Sequence, residues 1–95
     1  MKKGPKHIGE TLESMFKEMG MDSKIKQHRI IQEWPEIVGQ SVSKVTQAER
    51  IDNSILYVRV KSMTWRTELL FQKHTILKRI NEKYGNGMIK DIRFH

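Results

Sequence analysis

The sequence predicts an α+β fold: a three-stranded sheet with helices packed on one face, in the order α-α-β-β-α-β. Three observations carry this. From Ile55 to Lys61, apolar and polar side chains alternate with a period of two, as a half-buried strand requires. From Trp65 to Tyr84 the apolar residues repeat at helical spacing. Met88, Ile92 and Phe94 then alternate with Ile89, Asp91 and Arg93 as a closing strand.

Taken in order, residues 1–7 read as a basic, flexible leader, and residues 8–95 as a single domain. Ile8, Leu12, Met15, Phe16 and Met19 form a narrow apolar stripe at helical spacing, and Gly20 ends that helix. Such a Met-rich stripe is more often core than a partner groove. Asp22 or Ser23 caps a second helix, antiparallel to the first through the Gly20 turn. Ile30, Ile31, Trp34, Ile37, Val38, Val42 and Val45 share one face when the period is continued through it. Pro35 predicts a kink near Trp34, or two short helices with Pro35 in the first turn of the second. Gly39 weakens the helix there by up to about 1 kcal/mol relative to alanine and gives room for close packing.

Thr46 to Ile51 is a short, weakly patterned strand, and Asp52-Asn53-Ser54 is turn chemistry leading into the Ile55 strand as a hairpin. Ser62 is placed to cap the long helix, whose apolar arc holds Trp65, Leu69, Leu70, Ile76, Leu77, Ile80 and Tyr84. Lys73 falls near the centre of that arc, so it either snorkels or marks a shift of register. Phe71 falls opposite the arc. Gly85 and Gly87 lie just past the helix end, where left-handed backbone is common. Leu56, Val58, Val60, Leu69, Ile76, Ile80, Ile92 and Phe94 are the expected core.

The composition narrows the function. Net charge is +7, from 18 basic and 11 acidic residues. Residues 1–30 carry net +3, residues 31–60 net −1 and residues 61–95 net +5. Such an uneven excess favours a polyanionic partner, although solvated surface lysine also accounts for it. Cysteine is absent, which excludes disulfides and thiolate metal sites and suits a reducing compartment. No apolar run approaches the roughly 20 residues of a membrane span, and the start lacks the apolar segment of a secretion signal. Cytoplasmic location is the expectation.

Enzymatic signatures are missing. His7, His28, His74 and His95 are scattered without metal-ligand spacing, and Glu10 and Glu13 lie on the polar side of their helix. No serine sits in a nucleophile elbow. Gly85-Asn86-Gly87 lacks the rest of a phosphate loop and follows a helix C-terminus, the wrong end for anions. No catalytic residue, metal site, cofactor or small-molecule substrate is expected.

Binding signatures are present. Tyr57, Arg59 and Lys61 make a strand face that is aromatic and basic, suited to phosphates and base stacking if open, or simply a polar sheet face. Arg66 adds a cation at the start of the long helix. Beside it, Ser62 and Trp65 offer a polar rim and an aromatic anchor for a protein partner, with Phe71 as a second contact. The competing role for Trp65 is to close the core. The expected nucleic-acid binding is weak, salt-sensitive and nearly sequence-independent.

Several segments together suggest a family. They are Trp34-Pro-Glu-Ile-Val-Gly39, Ile51-Asp-Asn-Ser-Ile-Leu-Tyr-Val-Arg-Val60, Ser62-Met-Thr-Trp65 with Glu68-Leu69, Ile80-Asn81, and Ile89-Lys-Asp-Ile-Arg-Phe94. In order and spacing, from about Ile8 to Phe94, the chain resembles the DciA family, long catalogued as a bacterial domain of unknown function. The resemblance implies a K-homology-like fold, DNA binding and a non-enzymatic role in loading the replicative DNA helicase at initiation. It implies the helicase and single-stranded or fork DNA as partners, and no nucleotide hydrolysis. Many members of the family carry a basic, disordered extension that this chain, ending at His95, does not show. Weaker DNA binding or loading, or the need for another partner, would follow. The GxxG loop of K-homology RNA binders is also absent, so their binding mode does not carry over. An RNA-binding K-homology-like module in RNA or ribosome metabolism is the alternative reading.

Overall fold

The computed structural model describes residues 22–95. Its elements are α1 (Asp22–Gln32), α2 (Trp34–Val38), α3 (Gln40–Ser43), β1 (Thr46–Asp52), β2 (Ile55–Val60), α4 (Met63–Tyr84) and β3 (Asp91–Phe94). The fold is mixed α+β around one three-stranded sheet, as the sequence predicts. The leader, the first apolar stripe (Ile8, Leu12, Met15, Phe16 and Met19) and the Gly20 turn lie outside the described residues.

Strand β2 is central. It pairs antiparallel with β1 and parallel with β3. The hairpin turns at Asn53 and Ser54, with φ of 52° and 64°. Positive φ at both central residues is the turn geometry whose twist matches two antiparallel strands. A parallel neighbour needs a long crossover, and α4 supplies it. The Ser62 hydroxyl caps α4 by accepting from the Trp65 amide at 3.1 Å. At the other end Gly85, at φ 131°, leaves the helix with its amide still bonded to the Asn81 carbonyl.

Leu56, Val58 and Val60 of β2 face α4 and pack with Leu69, Ile76, Ile80 and Ile92. Phe94, expected in the core, is half-buried at its edge. Leu70 departs from expectation at 52 % exposure. It lies about 100° around the helix from Leu69, beyond the arc the sheet covers. Ile89, assigned by alternation to the outer face, is buried instead. Strand β3 starts only at Asp91, so alternation does not govern Ile89. The Asn81 side chain fixes it, accepting from the Ile89 amide and donating to its carbonyl, both at 3.0 Å.

The second predicted helix is broken twice. Pro35 enters the first turn of a new helix after Glu33, the second of the two arrangements open from sequence. Gly39, at φ 91°, then separates α2 from α3. A Cβ built on Gly39 would meet nothing within 4 Å. Its role is therefore conformational, and the expected close packing is not there. Asp22 and Ser23 lie inside α1, and Asp22 pairs with Lys26 at 3.5 Å. Lys73 snorkels without any break in α4, and its ammonium reaches Asp91 at 3.0 Å.

Glu33 links this broken region to the end of α4. Its carboxylate accepts from the Tyr84 hydroxyl and lies 3.4 Å from the Lys83 ammonium. The Tyr84 hydrogen bond holds Glu33 below its ordinary carboxylate range. Burial, followed by the same contact, pushes the Tyr84 phenol upward. The depressed Glu33 contributes stability that is present above its ordinary value of 4.5 and lost as pH falls through its folded value. The raised Tyr84 contributes stability present below its ordinary value of 10 and lost as pH rises through its folded value. Thermal melts from acid to alkaline pH should therefore show Tyr84→Phe with a shallower decline at both ends. Curves parallel to the wild type would remove the Glu33–Tyr84 link from the account.

Candidate functional site

The sheet face opposite α4 carries Tyr57 and Arg59, because Leu56, Val58 and Val60 take the core side. Lys61, just past the strand, is exposed, and its amide donates to the Val45 carbonyl at 2.9 Å. Arg59 is 64 % exposed at its side chain, but it is not a free cation. Its Nε donates to Glu49 at 2.8 Å, and His95 Nε2 lies 2.9 Å from the same carboxylate.

Glu49 reaches this position because of a β-bulge. Ala48 pairs with Val58 and Arg50 with Tyr57, so Glu49 is the extra residue on β1. The same register brings two cations that sequence reasoning missed. Arg50 and Arg93 pair with Tyr57 from opposite sides, in β1 and β3. The Arg50 guanidinium carbon sits 4.1 Å above the centre of the Tyr57 ring. Counting back from the Asn53-Ser54 turn already places Arg50 opposite Tyr57. Arg93 had no comparable signal, since parallel register depends on how α4 returns the chain.

Arg66 is not part of this face. It lies one turn into α4, on the core side of the sheet, and is half-buried. Its Nε is buried without a hydrogen-bond partner.

The Ser62, Trp65 and Phe71 candidates are set by α4. The Ser62 oxygen is occupied as the helix cap. Trp65 is half-buried against the core and lines a shallow groove with Val42, Thr64, Glu68 and Gln72. Trp65 thus closes the core on one side and borders the groove on the other. Phe71 is 82 % exposed and has exposed apolar neighbours, Leu70 and, two turns earlier, Met63 at 71 %. Positions 63, 70 and 71 fall on one side of a helix.

Among the described residues no group of three or more His, Asp or Glu side chains could hold a metal ion. No helix among them is long and apolar enough to cross a membrane.

These features define the class: a small α+β domain with a cationic, aromatic sheet face and an apolar strip on its longest helix. Residues 7–94 match the family described as "Dna[CI] antecedent, DciA", and the chain belongs to the DciA family. That family is one of helicase-loading factors and is not a known enzyme class. Similar proteins include a UPF0232 protein of Streptomyces coelicolor, 32 % identical over 91 residues, covering 94 % of this chain and 48 % of the relative. A UPF0232 protein of Rhodococcus jostii is 25 % identical over 89 residues, covering 94 % and 47 %. One from Mycobacterium leprae is 22 % identical over 89 residues with the same coverage. The chain thus spans about half the length of the curated relatives it matches.

Proposed function

We propose that this chain is a non-enzymatic, cytoplasmic DNA-binding adaptor that engages the replicative DNA helicase and helps load it at initiation. Family membership over residues 7–94 is the observation that carries this reading. Residues 8–95 act as one domain behind a basic leader at 1–7. Single-stranded or fork DNA meets the sheet face at Tyr57, Arg59 and Lys61, and Arg66 is a separate cation near the start of α4. The exposure of Arg59 and Lys61 on the face away from the core supports this.

A loader without an ATPase acts by favouring one helicase conformation over another, which requires a specific protein surface. The groove at Trp65, rimmed by Ser62, and the exposed Phe71 supply that surface in this reading. Phe71→Ala removes an exposed ring and should leave Tm within a degree or two while weakening helicase affinity several-fold. Unchanged affinity in a folded Phe71→Ala variant would remove this residue from the contact.

The nucleic-acid role has its own test. Replacing Arg59, Lys61 and Arg66 together with alanine should weaken binding to single-stranded DNA and flatten its salt dependence. Unchanged affinity would reject these cations as the contact. Competition between single-stranded DNA and structured RNA separates the adaptor from the RNA-binding alternative.

A further inference from the structure

We infer that the cross-strand row Arg50–Tyr57–Arg93 is a subsite for one nucleotide of a single strand, with a backbone phosphate held between the two guanidiniums and a base laid against the Arg50–Tyr57 stack. This rests on the nucleic-acid role proposed above and extends it to two residues outside that set.

The argument starts from register. Direct pairing of Tyr57 with Arg50 and with Arg93 puts three side chains in one line across three strands, all on the face away from α4. Neighbouring strands lie about 4.8 Å apart, so the two arginine backbones are separated by roughly 10 Å. Two long side chains can close that gap around a phosphate, and guanidinium forks suit its oxygens. The row borders an open recess of about 440 Å³ that Phe94 and His95 also line.

The next row differs. There Gln47 pairs with Arg59, and the ladder continues to His95 through its amide on the Val58 carbonyl. The bulge swings Glu49 onto Arg59 and His95, so an incoming phosphate must compete with a carboxylate already 2.8 Å from the Arg59 Nε. Arg50 has no carboxylate partner among the described residues and rests on a ring face. Among the described residues Arg93 pairs with Asp91 alone, at 3.5 Å, and Asp91 is already held by Lys73 at 3.0 Å. Among the described residues, Arg50 and Arg93 thus flank the Tyr57 ring with their charge less tightly paired than that of Arg59. Stacked ring and guanidinium surfaces accept any base, which suits binding without sequence preference.

The test uses the full chain and a fluorescent twelve-nucleotide oligothymidine, with oligouridine as a second arm. The Arg50→Ala/Arg93→Ala double variant should lose about tenfold or more in affinity, and its logarithmic salt slope should fall by about 0.7, the value for one neutralised phosphate on a single strand. Removing the same charge at Lys24 and Lys78, both exposed on helices, should cost much less. Arg50→Lys keeps the charge but not the planar stack, and should lose affinity while keeping the slope. The two oligonucleotides should respond alike, since phosphate and base face are common to both. If wild type binds, and the arginine pair loses no more than the lysine pair, the subsite is wrong while the nucleic-acid role stands. If the wild-type chain binds neither oligonucleotide, both fail.

Discussion

Trp34→Ala is expected to cost about 3–5 kcal/mol, the usual range for truncating a buried aromatic. Trp34 is 3 % exposed and opens α2. Its indole N–H donates to the Thr46 hydroxyl at 2.9 Å, and that hydroxyl donates to the Val42 carbonyl at 2.7 Å. One buried relay thus joins α2, α3 and β1 where Gly39 has interrupted the helix. Trp34→Phe keeps most of the ring volume but removes the donor, and should cost about 1–3 kcal/mol. Thr46→Val strands the indole N–H and should fall in the same range. Chemical denaturation of the three variants measures this. If Trp34→Phe is as stable as wild type, the relay contributes nothing and only volume matters.

Leu69→Ala and Ile80→Ala should each cost about 2–5 kcal/mol. Both side chains are fully buried between α4 and the sheet. Eleven residues along a helix separates them by roughly 16 Å, far enough for their effects to add. A domain of this size has about 5–14 kcal/mol of total stability. The double variant should therefore lose about 4–10 kcal/mol and unfold at much lower denaturant than either single variant. A folded double variant with small losses would mean the core is looser than its burial indicates.

What could be read in advance followed from local chemistry. The alternation in β2, the Ser62 cap and the exposed Phe71 each depend on a few neighbouring residues, and each is where the sequence pattern puts it. The resemblance to DciA was likewise legible, because its segments lie in order along the chain. The departures came where the backbone breaks its own period. Gly39 looked like a tolerated helical glycine, but it leaves the helix at positive φ. The Glu49 bulge shifts β1 by one residue, and nothing local marks it. Neutralisation of Arg59 follows from that shift, so a face read as Tyr57, Arg59 and Lys61 along one stretch of chain understated its neighbours. Ile89 was misassigned because the Asn81 side chain, eight residues away, decides its burial.

The proposed role requires that this chain bind the replicative DNA helicase itself and not merely be tethered to it through shared DNA. The direct measurement is capture of the purified cognate helicase on the immobilised folded chain, with and without nuclease, and with and without added single-stranded DNA. The account predicts a complex that survives nuclease treatment and weakens in Phe71→Ala with its Tm unchanged. No complex with the folded wild-type chain, with or without single-stranded DNA, would contradict it.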